Sequence, residues 1–303
     1  MAQSISLILG SGGARGLAHI GVIHELERRG IAIGAVVGCS MGALVGGLYG
    51  AGKLPAFEEW VGGLSQWDVF RFLDISLTSR VGMMKGDLIM EHLRTLVGDR
   101  QIEDLPLPFT AVAVDIFEQK EVWLNRGDLF DAIRASIAIP GLFTPKVVGG
   151  RTMVDGGLLN PVPVAPATSN DTTLTVAVSL SGRPVAEPLG PNLAAPPVPT
   201  LDRYRQNVDD FLNRVQNMLG MENSDEANPT VHDPTLTDVM LGTFDTMQAT
   251  IARCRLAAYP PDLLIEIPAN ICETHEFHKA APAISAGQYW ADRVLNEHAH
   301  MFE

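Results

Sequence analysis

Apolar residues along the chain alternate between short continuous runs and longer stretches with helical spacing. Ile5 to Leu9 is a short apolar run ending in glycines, the pattern of a buried strand. Leu17, Ile20, Val22, Ile23 and Leu26 then recur at helical spacing, and arginines with Gly30 close that helix. Ala35 to Cys39 reads as a second buried strand, and Met41 to Tyr49 as a small, apolar helix packed closely on a sheet. The first fifty residues therefore predict strand–helix–strand–helix, the opening of a parallel sheet covered by helices.

The pattern is more broken after that. Trp60 to Phe72 carries several aromatics and reads as a helix or a lid, with Leu64, Trp67, Phe70, Phe72 and Leu73 as its apolar face or as core. Asp87 is placed to cap a helix through Leu96, and Asp128 one through about Ile139, ended by Pro140-Gly141. Phe109 to Phe117, Glu121 to Leu124, Thr173 to Leu180 and Asp262 to Ile267 predict strands, and Lys146 to Val154 a hairpin around Gly149-Gly150. Arg183 to Pro199 is rich in proline and small residues and reads as a loop or linker. Two amphipathic segments follow. One steps through Leu201, Tyr204, Val208, Phe211, Val215 and Leu219; the other puts Met240, Phe244, Met247 and Ile251 on one face. Ser285 to Phe302 is a last helix.

Composition narrows the function classes. With 46% apolar and 19% charged residues over 303 positions, the chain has a globular make-up. A net charge of −13 makes it a poor partner for nucleic acid and repels it on average from anionic lipid, so any transient membrane-surface contact needs a local patch. Cys39, Cys254 and Cys272 lack metal-ligand spacing and read as free thiols of a reducing compartment. The segment MAQSISLILGSGG has no basic n-region, and no stretch approaches the ~18 apolar residues of a membrane span. The expectation is a cytoplasmic enzyme.

Three glycine-rich turns carry the candidate chemistry. Gly38-Cys39-Ser40-Met41-Gly42 fits G-x-S-x-G between a predicted strand and helix, where a sharp turn exposes the serine hydroxyl at a helix N-terminus. Gly10 to Gly16 (GSGGARG) lies in the same strand–helix setting. It is either a dinucleotide or phosphate loop, matched only in offset form with no G-K-[ST], or a loop that offers backbone N–H groups to an oxyanion. Asp155-Gly156-Gly157 is either an ordinary D-G turn or the site of an acid. Eight histidines are present, and none of the late ones has an environment that marks a triad base; His275 and His278, three apart, are too few to hold a metal. Asp115, at the end of an apolar run, is a lesser acid candidate or a structural strand-end residue.

Together these turns resemble the patatin-like phospholipase family, especially its bacterial cytoplasmic branch. The resemblance lies in SGGARGLAHIGVIHELERRGI, VVGCSMGALVGGLYGAG, ASIAIPGLFTP and VDGGLLNPVPV, and spans roughly residues 5–180. It implies an α/β fold of three layers, α/β/α, with a mainly parallel central sheet and a nucleophile elbow. It implies Ser40 as nucleophile between Gly38 and Gly42, and Asp155 as its base. The N–H groups around Gly12, Gly13 and Ala14 would form the oxyanion hole, with Arg15 holding that loop. The family often has glycine where Ser11 stands, but two glycines remain. No metal or other cofactor is implied, and the substrate is a lipid or acyl ester. Residues 1–182 with 260–303 would form the catalytic domain. The resemblance does not extend over 183–259, which reads as a linker and amphipathic helical insertion whose apolar stripes are core or interhelix packing, a lid or a homodimer contact. An acyltransferase, or a non-catalytic module binding acyl chains or a protein, are the alternatives.

Overall fold

A computed structural model describes residues 4–64, 68, 82–191 and 236–302. Trp67, Phe70, Phe72, Leu73 and the segment 201–219 lie outside the described residues.

The chain opens with β1 (Ser4–Leu9), a 3-10 turn (Gly13–Leu17), α1 (Ala18–Arg28), β2 (Ala32–Cys39), α2 (Met41–Gly50) and α3 (Leu54–Gly62). Next come β3 (Gly82–Met84), α4 (Asp87–Val97), β4 (Phe109–Asp115), β5 (Lys120–Leu124), α5 (Leu129–Ser136), β6 (Gly141–Phe143), β7 (Lys146–Val148) and β8 (Arg151–Asp155). β9 (Leu174–Gly182), α6 (Leu236–Ala258), β10 (Leu263–Pro268) and α7 (Ala280–Glu297) complete the described elements.

The main sheet runs β10-β9-β1-β2-β4, all neighbours parallel, with β5 antiparallel on the far edge of β4. β4 serves two partners along its other edge. β2 pairs with Phe109 to Val112, and β8 then takes over antiparallel from Ala113 to Asp115, with β7 beyond it. β3 and β6 form a separate two-stranded sheet.

Alternation along β1 divides the core into layers. Ile5, Leu7 and Leu9 face the larger core with α1, α2, α5 and α7. Ile8 faces the opposite side, with Val37, Val112, Ala177, the segment Val162–Ala167 and Ala252 of α6. Helices thus cover both faces of a mainly parallel sheet. α1 and α7 approach closely because neither presents a side chain at the crossing: a Cβ on Gly21 would collide with the Ile284 carbonyl, and one on Gly287 with that of Ala18. Leu64, from the proposed lid, packs against the larger core.

Two local expectations change. Asp87 is the first helical residue of α4 and not its cap; Gly86, at φ 67°, makes the entry turn, because the chain enters in a left-handed conformation. Asp128 does cap α5, accepting the Asp131 N–H at 2.8 Å, but the helix ends at Ser136 and not near Ile139.

Candidate active site

β2 ends at Cys39 and α2 begins at Met41, so Ser40 alone makes the turn, at φ 55° and ψ −123°. A non-glycine residue held there costs about 1–3 kcal/mol and persists only where its surroundings enforce it. Gly38 and Gly42 are part of that enforcement. A Cβ at Gly38 would strike the Gly42 carbonyl, and one at Gly42 would strike the Leu9 carbonyl, so α2 can press its first turn onto β1 only if both are glycine. The hydroxyl of buried Ser136 binds the elbow from the other side. It accepts the Ser40 N–H at 2.9 Å and donates to the Val112 carbonyl at 2.6 Å.

Asp155 ends β8. Its Oδ1 accepts the Gly157 N–H at 2.7 Å, and its own N–H donates to the Ala138 carbonyl at 2.9 Å. β4 brings the turns of Ser40 and Asp155 together: Cys39 pairs with Val112, and Asp155 pairs with the next residue, Ala113. Two turns separated by more than a hundred residues therefore meet at one step of one strand. Both side chains are buried, Ser40 at 3% exposure and Asp155 at 0%.

Burial pushes the Asp155 carboxyl up to about 7, because the apolar surroundings disfavour its charge. The Ser40 hydroxyl lies close enough to offset part of that rise, as does the Gly157 N–H, yet Oδ2 meets no group in regular hydrogen-bond geometry. Cys39 is raised well above an ordinary thiol, first by burial and then by the Asp155 charge, and stays a neutral neighbour.

The Gly12–Gly13 loop runs beside the elbow. Gly13 has φ 56°, and a Cβ there would collide with Thr274. The N–H groups predicted to bind an oxyanion are not equivalent. Ala14 donates to the Thr274 carbonyl at 2.8 Å, and its neighbour Ser11 to the Pro161 carbonyl at 2.8 Å. The N–H groups of Gly12 and Gly13 have no such partner among the described residues. Arg15 Nε donates to the Gly12 carbonyl at 3.2 Å and its guanidinium lies 3.6 Å from Asp245. His19, fully buried, bonds the Gly10 carbonyl through Nε2 at 2.8 Å; burial lowers it to about 4, so it is a neutral anchor of the loop.

Asp115 accepts the N–H groups of Phe117 and Glu118 and holds the β4–β5 turn. His275 follows Thr274, the residue that packs on Gly13, and His278 lies in the 3-10 turn Phe277–Lys279 before α7; neither is among the hydrogen-bond partners of Ser40 or Asp155 described above.

A family profile described as patatin-like phospholipase matches residues 7–168. The chain belongs to that family. Membership gives the class of chemistry, hydrolysis of lipid esters. An uncharacterized NTE family protein of Mycobacterium tuberculosis is 39% identical over 96% of this chain and 91% of its own length. The lysophospholipase NTE1 of Cryptococcus neoformans is 34% identical over 55% of this chain and 10% of its own. Among solved structures, VipD from Legionella pneumophila superposes with a TM-score of 0.51 at 14% identity, covering 98% of this chain and 67% of that one, a likeness of fold.

The turn motifs give no sign of Gln248, Asp245 or Thr274. The Ser11 hydroxyl donates to Gln248 Oε1 at 3.0 Å, and the Gln248 amide packs against Gly157. Thr274 donates to Asp245 at 3.4 Å, and Arg255 to the Leu159 carbonyl at 3.1 Å. α6 therefore lies across the loop and the aspartate turn with a polar face, Asp245, Gln248 and Arg255, around buried Ala252. Its predicted apolar stripe is not the packed one: Met247 is 46% exposed, Phe244 and Ile251 are half-buried, and the Met240 side chain lies outside the described residues.

Proposed function

We propose that the chain is a serine acyl hydrolase acting on lipid carboxylic esters through a Ser40–Asp155 dyad, by way of an acyl-enzyme. Ser40 Oγ attacks the ester carbonyl while its proton passes to the Asp155 carboxylate. The oxyanion is met by the N–H groups of Gly12 and Gly13 and by the first turn of α2, whose leading N–H groups have no acceptor within the helix. Asp155 then gives its proton to the departing alcohol. Water attacks the acyl-Ser40 ester, loses its proton to Asp155 and releases the acid, and the proton returns to Ser40 Oγ. An ordinary aspartate is too weak a base for this, and one raised to about 7 is matched to neutral pH.

The observation that carries the reading is the strained serine and the buried carboxylate held at adjacent steps of β4. α6 is proposed as a cover: its contacts to Ser11, Arg15 and Gly157 close over the dyad, and ester enters when they release. The charge of −13 favours neutral or zwitterionic lipid surfaces over anionic ones. Incubation with a lysophospholipid and with a short p-nitrophenyl ester, with products resolved by mass spectrometry, tests it. Free fatty acid is expected from the native chain and none from Ser40→Ala; acyl transfer to an added alcohol without free acid would point to a transferase.

A further inference from the structure

We propose that Ser136 is a positioning residue for the reaction, one that sets the nucleophile against its base. This rests on the dyad reading above. The backbone N–H of Ser40 belongs to neither neighbouring element, since β2 stops at Cys39 and α2 starts at Met41. The Ser136 hydroxyl is its acceptor at 2.9 Å. A hydroxyl has one proton, and here it goes to the Val112 carbonyl at 2.6 Å, so toward Ser40 the oxygen can only accept, and the Ser40 N–H is the donor it takes. Ser136 is fully buried, so water cannot replace it.

Its neighbours extend the link. Val112 pairs with Cys39, and Ala113 with Asp155. Two residues after Ser136, the Ala138 carbonyl accepts the Asp155 N–H at 2.9 Å. The end of α5 thus grips the nucleophile by a side chain and the base by a carbonyl, and both grips refer to the same two residues of β4. Rotation of the Ser40 peptide would move Oγ relative to the Asp155 carboxylate, and such misplacement is felt in turnover more than in substrate binding. Ser136 sits in ASIAIPGLFTP, a segment whose resemblance to the family carries no assigned role in the dyad.

The test compares the native chain, Ser136→Ala, Ser136→Cys and Ser6→Ala, with kcat taken per site labelled by a fluorophosphonate probe. Ser6 is a second buried serine, bonded to Thr172 at 2.8 Å in β1. Ser136→Ala is expected to lower kcat about tenfold to a hundredfold with KM within about twofold, and to slow labelling of Ser40 in parallel. Ser136→Cys, a weaker hydrogen-bonding group of similar size, is expected to fall between native and alanine, and it carries the test if the alanine variant does not fold. Ser6→Ala is expected to lose stability and keep its kcat. Native kcat per labelled site in Ser136→Ala or Ser136→Cys would overturn the inference while leaving the dyad intact. A native chain that neither turns over ester nor takes the label would instead overturn the dyad reading itself.

Discussion

Asp155 holds a carboxylate where the fold disfavours one, and activity and stability respond to that in opposite directions. The proton acceptor must be ionised, so kcat/KM is predicted to rise with pH through an apparent pKa near 7, falling about tenfold per unit well below it. A pH–rate profile that is flat from 5 to 8 would contradict this. Stability runs the other way. The folded-state pKa is raised above the ordinary carboxylate value, so the folded chain binds the proton more tightly and this group's contribution is lost as pH rises from about 4 through 7. Asp155→Asn, which keeps an acceptor for the Gly157 N–H, is therefore predicted to be inactive yet to melt above the native chain at pH 8, with the difference shrinking toward pH 5. Scanning calorimetry at the two pH values checks it. The turns that hold Ser40 and Asp155, the proposed dyad, were legible in the sequence because each is a glycine turn whose conformation is local. The contact of Ser136 was not: its proposed role rests on strand pairing, which places Val112 between the two turns and leaves no mark on the neighbours of Ser136.

At the scale of elements, the strands were the most legible, since β1, β2, β4 and β9 are apolar on both faces and need no knowledge of their neighbours. α6 shows where periodicity misleads. Its predicted apolar stripe is not the packed face: Ala252 and Leu256 meet the apolar layer under the sheet, while Asp245, Gln248 and Arg255 reach the glycine loop and the aspartate turn. The Arg15–Asp245 pair is part-exposed and contributes little energy, which suits the cover proposed above. The double variant Asp245→Ala/Gln248→Ala is predicted to raise kcat/KM for a long-chain ester by a few-fold while changing that for a short one less. An equal loss for both substrates would show that these side chains support the site rather than cover it. Asp87 was misread for a simpler reason: its role as cap assumed an extended entry, and Gly86 enters left-handed.

For the whole molecule, the C-terminal segment completes what the N-terminal segment begins. β10 extends the parallel sheet beyond β9, and α7 seats on α1 through Gly21 and Gly287. Gly21→Ala sets two effects against each other. Alanine in a helix gains up to about 1 kcal/mol over glycine, but its Cβ would meet backbone at Ile284, which cannot turn away, and such overpacking costs about 1–3 kcal/mol. Net destabilisation is predicted, read as a lower urea midpoint with kcat per labelled site retained. Among the described residues no helix is long and apolar enough to cross a membrane.

The most direct measurement of the central claim is fluorophosphonate labelling read by peptide mass spectrometry, on the native chain, Asp155→Asn and the double variant His275→Ala/His278→Ala. The dyad predicts the label on Ser40 in the native chain and in the histidine variant, and its near-complete loss in Asp155→Asn. A label on another residue, or undiminished labelling of Ser40 without the Asp155 carboxylate, would contradict it.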